Sequence, residues 1–246
     1  MSYSDFASVY DLLMGDAEYL KRAEYLYNLF KKHGKPPKLM LDLACGTGTF
    51  SNLFAEKGIE VIGVDISEEM LAVAREKSAN YGNNVLYLCQ SAEELDLYGT
   101  VDGAICCMDS LNHITDRSSL QEAVNRVSLF LEKDCLFIFD LNTVYKHREI
   151  LGNNTFVFDE EGVYCVWQNS FCEENLTTDI YLDFFLPDGD VYERCSEDFS
   201  ERAYTEKEID EILKNARLET VAIYDDLSLN PPTDTSERVI YVTRKK

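Results

Sequence analysis

Four groups of residues in this 246-residue chain have types and spacings that could do chemistry. Asp42 stands just ahead of Gly46 and Gly48 in the run LDLACGTGTF. A carboxylate there can hold a cation, while glycines without a Cβ let backbone amides approach the same ligand. Asp65 follows about 20 residues later, where a carboxylate in a nucleotide-binding α/β sheet accepts both hydroxyls of a ribose. The run Met108-Asp109-Ser110-Leu111-Asn112-His113 gathers polar groups around one of the chain's 3 histidines. His113 and Asp109 are candidate proton acceptors there, and Asn112 a candidate substrate contact. A later aromatic and acidic stretch adds Glu197 as a third possible base, with Trp167 and Tyr192 as apolar faces for a substrate.

The elements that must position these residues follow from periodicity. Lys38–Ala44, Glu60–Asp65, Asn84–Gln90, Val101–Cys107 and Cys135–Leu141 are short apolar runs, the pattern of buried strands. Helical spacing appears between them, at Thr49–Gly58, at Ser67–Gly82 behind a Ser67 cap, and at Arg117–Lys133 behind an Asp116 cap. Five strand–helix alternations predict a doubly wound α/β sheet. Two helices broken near Gly15 are expected over residues 1–34. After Gly152 the pattern changes to strand-like runs at 154–158, 163–171, 177–186 and 191–204, with turns at Glu161-Gly162 and Pro187-Asp188-Gly189. This predicts an antiparallel insertion on the ligand side of the sheet, an aromatic cover that excludes water. Alternation puts Glu193, Cys195, Glu197 and Phe199 on one of its faces, without saying which face meets substrate. Thr205-x-x-Glu208 opens a helix, and strands at 217–227 and 237–244 close the chain.

Composition removes several classes. A 46% hydrophobic content suits a packed core. No apolar run reaches the roughly 20 residues of a membrane span, and the first residues have no basic start of a signal peptide. A cytoplasmic protein is expected. The 8 cysteines form no C-x-x-C pair, so buried reduced thiols are expected and no metal site. A net charge of −22 repels phosphate backbones, which disfavours nucleic acid as a partner. The oligomeric state is not legible.

Asp42-Leu43-Ala44-Cys45-Gly46-Thr47-Gly48 resembles the first motif of the class I S-adenosylmethionine-dependent methyltransferases. Phe6-Ala7-Ser8-Val9-Tyr10-Asp11 resembles an opening segment common among their small-molecule members, and Asp109-Ser110-Leu111-Asn112-His113 resembles a run in a group of small bacterial ones. The resemblance implies a Rossmann-like sheet of seven strands with the last antiparallel. Residues 1–152 and 204–246 would form the cofactor domain, and 153–203 an inserted β lid. It also implies S-adenosyl-L-methionine as cofactor, held by Tyr10, Asp42, Ala44, Gly46, Gly48, Asp65, Ile66, Met70, Ser91, Ala92, Glu93 and Met108. Ser91 stands where the family's adenine-side acid is usual. The implied reaction moves a methyl group to a nitrogen, oxygen or carbon nucleophile on a small molecule. Two alternatives share features of the chain: a non-catalytic module that binds this cofactor, and a nicotinamide-dependent oxidoreductase. The absent third glycine of G-x-G-x-x-G and the closing strand pair count against the latter.

Overall fold

A computed structural model describes residues 18–82, 85–160 and 162–246. Tyr10 and the first expected helix lie outside the described residues. The rest begins with helix α1 (Tyr19–His33), strand β1 (Leu39–Leu43), helix α2 (Thr49–Ala55), strand β2 (Glu60–Asp65), helix α3 (Glu68–Tyr81) and strand β3 (Val85–Cys89). Strand β4 (Val101–Cys106), helix α4 (Arg117–Phe130) and strand β5 (Leu131–Asn142) complete the parallel half. Strands β6 (Thr155–Glu160), β7 (Val163–Cys172), β8 (Thr177–Asp188) and β9 (Val191–Arg202) come next, then helix α5 (Glu206–Asn215) and strands β10 (Leu218–Asp225) and β11 (Arg238–Lys245).

Seven strands form one sheet in the order β10-β11-β5-β4-β1-β2-β3. β1 through β5 pair in parallel, and β11 runs antiparallel to both β5 and β10. The strand period of two divides the core. Leu41, Leu43, Ala104, Cys106, Phe137 and Phe139 point to the face covered by α4 and α5. Met40, Ile105, Ile138 and Val242 point to the face covered by α1 and α2. Each fully buried Leu, Ile or Phe side chain contributes about 1.5–3 kcal/mol over leaving it in water. Asp102, just inside β4, accepts the Lys38 and Leu39 amides, both at 2.8 Å, and so fixes where β1 begins.

The inserted strands form a separate four-stranded antiparallel sheet, β6-β7-β8-β9. Its hairpins turn between the pairs Glu160–Val163 and Asp188–Val191, the second through Gly189-Asp190. One helix boundary differs from expectation. Helix α4 stops at Phe130 rather than Lys133, because Leu131 already pairs with Val101 and the chain turns through a left-handed Asp134 (φ 65°). Residues Lys146–Leu151 form a π-helical turn.

Candidate active site

The loop after β1 is built for close approach. Ala44, Gly46 and Gly48 have φ of 55°, 53° and 72°, the left-handed region. The Gly46 amide donates to Asp65 Oδ2 at 2.8 Å, and the Ser67 amide to Asp65 Oδ1 at 2.9 Å. Asp65 therefore locks the β1 loop to the β2 loop and keeps free lone pairs on both oxygens. A Cβ on Gly46 would meet no atom within 4 Å; it faces open space. A Cβ on Gly48 would run into the Tyr87 hydroxyl and come within 2.9 Å of the Ala74 Cβ. Gly48→Ala combines that clash with a strained φ and should cost about 1–3 kcal/mol, read as a lower melting temperature. Gly46→Ala should melt closer to the parent.

The loop forms the floor of an open cleft of about 360 Å³, lined by Asp42, Ala44, Cys45, Gly46, Thr47, Cys107, Met108 and Ser110. Asp42 is 2% exposed and accepts the Ser51 hydroxyl at 2.5 Å. Among the described residues it forms no ion pair. Burial pushes its carboxyl up to about 7, against the pull of Ser51. A buried acid lining a cleft without a cation fits a ligand that brings one. Beside this cleft, across Phe50, Cys107 and Met108, lies a second space of about 240 Å³ reaching Arg22, Tyr25 and Asp140.

The strand β4 exit is held by ion pairs. Met108 (φ 59°) and Asp109 (φ 51°) are consecutive left-handed residues without being glycine, a strained arrangement. The Asp109 amide donates to Asp140 Oδ2 at 2.9 Å. Arg238, from β11, pairs with Asp109 Oδ1 at 2.6 Å and with Asp140 Oδ2. Asn142 donates to Asp109 Oδ2 at 2.7 Å and accepts from Lys146 Nζ at 2.9 Å. Burial alone would raise Asp109, but Arg238 and Lys146 hold it down at about 2.

Next to this network lies a carboxylate between two imidazoles. Glu201 on β9 is 5% exposed. His113 Nε2 is 3.6 Å from its Oε1, and His147 Nε2 is 3.7 Å from its Oε2. His147 is fully buried, with Nδ1 2.8 Å from the Thr178 hydroxyl. His147 Nε2 and Glu201 Oε2 have no hydrogen-bond partner. Burial, and then the Asp109 charge, push Glu201 up to about 8. Burial lowers His147 to about 4, and the protein packed against the inner side of the His113 ring lowers it too, although 45% of that side chain stays exposed; both imidazoles are neutral at pH 7. His113 is exposed, its ring 5.0 Å from that of Phe199. It is also near enough to Asp65 for each to bias the other's ionisation. Asp109, His113 and Glu201 bring oxygen and nitrogen atoms within 4.8 Å of one another, as a cation site would. Arg238 and Lys146 already bring positive charge to that ground.

The structure sorts the residues picked out from sequence. Asp42, Ala44, Gly46 and Met108 line the cleft, and Gly48 and Asp65 shape it. Ile66 lies at the surface beside Asp65, 74% exposed, and Met70 is buried with its amide taken by the Ser67 cap. Ser91, Ala92 and Glu93 are half-buried where a 3₁₀ turn follows β3. Three residues come out differently from expectation. Asp109 is locked by Arg238 and Asn142 and is too acidic to take a proton at neutral pH. Asn112 is buried, its amide clamping the Asn142 backbone and the Arg202 carbonyl rather than facing a substrate. Tyr192 is 66% exposed at the far end of β9, about 30 Å along the strand from Glu201. Glu197 and Trp167 lie in one cross-strand row through Leu182, on the face shared with Phe199. Glu197 is about 7 Å along the strand from Phe199, whose ring meets that of His113. His147, Asp140 and Arg238 escaped the sequence reading, and Glu201 was legible only as part of the charged run 193–202 that could reach inward. Glu201 shares strand parity with Glu197 and Phe199, which was the available signal.

The comparisons agree with this geometry. A methyltransferase domain family matches residues 40–134. A Bacillus subtilis (strain 168) protein that carries a methyltransferase name, YqeM, is 32% identical over 100% of this chain and 98% of its own. The crystal structure of an S-adenosylmethionine-dependent methyltransferase from Clostridium acetobutylicum ATCC 824 superposes with a TM-score of 0.90 at 33% identity, covering 99% of this chain and 98% of that one. The S-adenosylmethionine-bound structure of CalS10, an amino pentose methyltransferase from Micromonospora echinaspora, shares the fold with a TM-score of 0.75 at 20% identity, covering 93% and 92%. No described helix is long and apolar enough to cross a membrane. A seven-stranded sheet ending in an antiparallel strand, an acid-and-glycine loop at its centre and full-length relatives together place the chain in the S-adenosylmethionine-dependent methyltransferase family.

Proposed function

We propose that the methyl acceptor is a small molecule presenting a nitrogen nucleophile, and that His113 takes its proton. One observation carries this reading: a neutral, accessible imidazole beside the cleft, backed by the buried carboxyl group of Glu201. An amine arrives from water as an ammonium, drawn by the chain's net charge of −22, and must lose a proton to attack. The fold shared with CalS10 supports the same acceptor class.

S-adenosylmethionine supplies a methyl group already activated on a sulfonium. This chain's residues bind and align it. Asp42 would hold the ammonium of its methionine part beside the Gly46–Gly48 loop, Asp65 would accept the ribose hydroxyls, and Ser91 to Glu93 would lie on the adenine side. Strands β6 to β9, within residues 153–203, act as the substrate-side lid, with Trp167 and Glu197 on its inner face. Alignment of two bound partners accounts for roughly 7–11 kcal/mol of such a barrier.

The test is a methyl-transfer screen with labelled cofactor against small amines and matched alcohols. Transfer to amines supports the reading; transfer to alcohols alone overturns it. His113→Ala should slow turnover about 10²–10⁴-fold. Affinity for S-adenosylhomocysteine should stay within about twofold by calorimetry, since the residue touches the acceptor side. Unchanged turnover would remove His113 from the chemistry.

A further inference from the structure

We infer that Glu201 is the proton store behind His113, held in register by His147. The inference rests on His113 being the proton acceptor. The two oxygens of Glu201 face two different imidazole Nε2 atoms, at 3.6 and 3.7 Å. Both distances exceed a hydrogen bond, and a closure of under about 1 Å makes each of them one. Catalytic hydrogen bonds are commonly long before ligands bind.

The far end is already fixed. His147 is fully buried and its Nδ1 meets the Thr178 hydroxyl at 2.8 Å. With Thr178 donating to Nδ1, the proton of His147 sits on Nε2 and points at Glu201 Oε2. That arrangement gives both orphaned atoms, His147 Nε2 and Glu201 Oε2, their partner. His147 is thus a positioning residue. It satisfies one oxygen of Glu201 and leaves Oε1 for His113.

The proton balance is simple. The acceptor's N–H bond breaks and its electron pair stays on nitrogen. The proton goes to His113 Nδ1, and the Nε2 proton of His113 passes to Glu201 Oε1. After product leaves, the proton returns by the same route to water. No other reactant takes part. The competent state has Glu201 as carboxylate. The groups facing it are Asp109 and His113 from the β4 exit, Lys146 and His147 from the π-helical turn, and Arg238 from β11. Asp109 disfavours the carboxylate; Lys146 and Arg238 favour it.

The chain has only 3 histidines, so imidazole carbon-bound proton signals can be followed individually by NMR, without an acceptor. In the wild-type protein His113 and His147 should both show an inflection near pH 8, reporting Glu201, with His33 as the silent control. Glu201→Gln should erase it from both. His147→Phe, which keeps a ring but removes the donor to Oε2, should move the remaining His113 inflection to higher pH. A structural role for Glu201 alone would give no shared inflection. The inference is overturned if wild type shows none, if Glu201→Gln retains it, or if His147→Phe leaves it in place. Loss of turnover in His113→Ala without the shared inflection would keep His113 as base and remove Glu201. A shared inflection with full turnover in His113→Ala would overturn the base reading instead.

Discussion

S-adenosylhomocysteine should bind about tenfold more weakly at pH 6 than at pH 8, and Asp42 should be the cause. The carboxyl is 2% exposed, and burial lifts it to about 7. A ligand ammonium is attracted by the carboxylate and not by the acid. At pH 8 most molecules carry the carboxylate; at pH 6 roughly nine in ten do not, which gives about a tenfold loss. Asp42→Asn should flatten this dependence and weaken binding at pH 8 by roughly 1.5–3 kcal/mol, the range for a hydrogen bond to a charged group. The same substitution should act oppositely on the unliganded fold. A carboxyl whose folded pKa is raised stabilises the fold at low pH, and that contribution is lost as pH rises from the ordinary carboxylate value through about 7. Asp42→Asn should therefore raise the melting temperature above pH 7 while it lowers affinity. Calorimetry and thermal melts over pH 5.5 to 8.5 check both arms. A flat wild-type binding profile, or an Asp42→Asn variant that keeps the slope, would take the ammonium role away from Asp42.

The contrast between the two sides of the site explains why so much of the β1 loop was legible and so little of the cluster around Glu201. A loop that must bring backbone to a ligand needs glycines at fixed places in sequence, and Asp42, Gly46 and Gly48 all lie within one strand–loop–helix unit. Local chemistry of that kind shows in sequence. The Ser67, Asp116 and Thr205 caps were readable for the same reason, and each is made as expected, the last with a full capping box. The alternating apolar residues of β1, β4 and β5 likewise state their two faces. The acceptor side is assembled from distant parts. Glu201 meets His113 and His147 only because β9 returns over the β4 and β5 exits, and Arg238 reaches Asp109 across 129 residues. Parity along β9 names the residues that share a face, and cannot name the face that meets His113. His147 was hidden by a second effect. It sits in a π-helical turn after β5, where no hydrophobic period announces an element. Asn112 looked like a substrate contact because polar residues at a strand exit usually are; here the amide is needed to join the β4 exit, β5 and β9.

Removing the Arg238 side chain should be the most damaging single change on this side of the molecule. Its guanidinium is 11% exposed and pairs with two carboxylates that are themselves 15% and 7% exposed. Breaking a buried ion pair from one side typically costs about 3–5 kcal/mol, because charge is left behind unpaired. For a chain of this size that is roughly 6–20 °C of melting temperature. In wild type Asp109 is held at about 2, so it supports the fold above the ordinary carboxylate range and fails only in strong acid. In Arg238→Met that sign should reverse. With the cation gone, burial raises Asp109 and adds to the rise already present in Asp140. Raised carboxyls stabilise at low pH and destabilise as pH climbs through their folded values, so Arg238→Met should be closer to wild type at pH 5 than at pH 8. Lys146 remains near Asp109 and limits the effect there, which leaves Asp140 as the larger source of the loss. Asp140→Asn in the Arg238→Met background should then recover more stability at pH 8 than Asp109→Asn does. Function should fail before the fold does. The left-handed Met108 and Asp109 are held by the Asp140 and Arg238 contacts, and Met108 lines the cleft over the β1 loop, the proposed cofactor site. The Arg238→Met variant should therefore lose affinity for S-adenosylhomocysteine even at pH 5, where it still melts cooperatively. A variant that melts within about 2 °C of wild type at pH 8, well short of the shift expected for a broken buried pair, would mean that water or Lys146 satisfies both acids, and that Arg238 contributes little to holding the β4 exit.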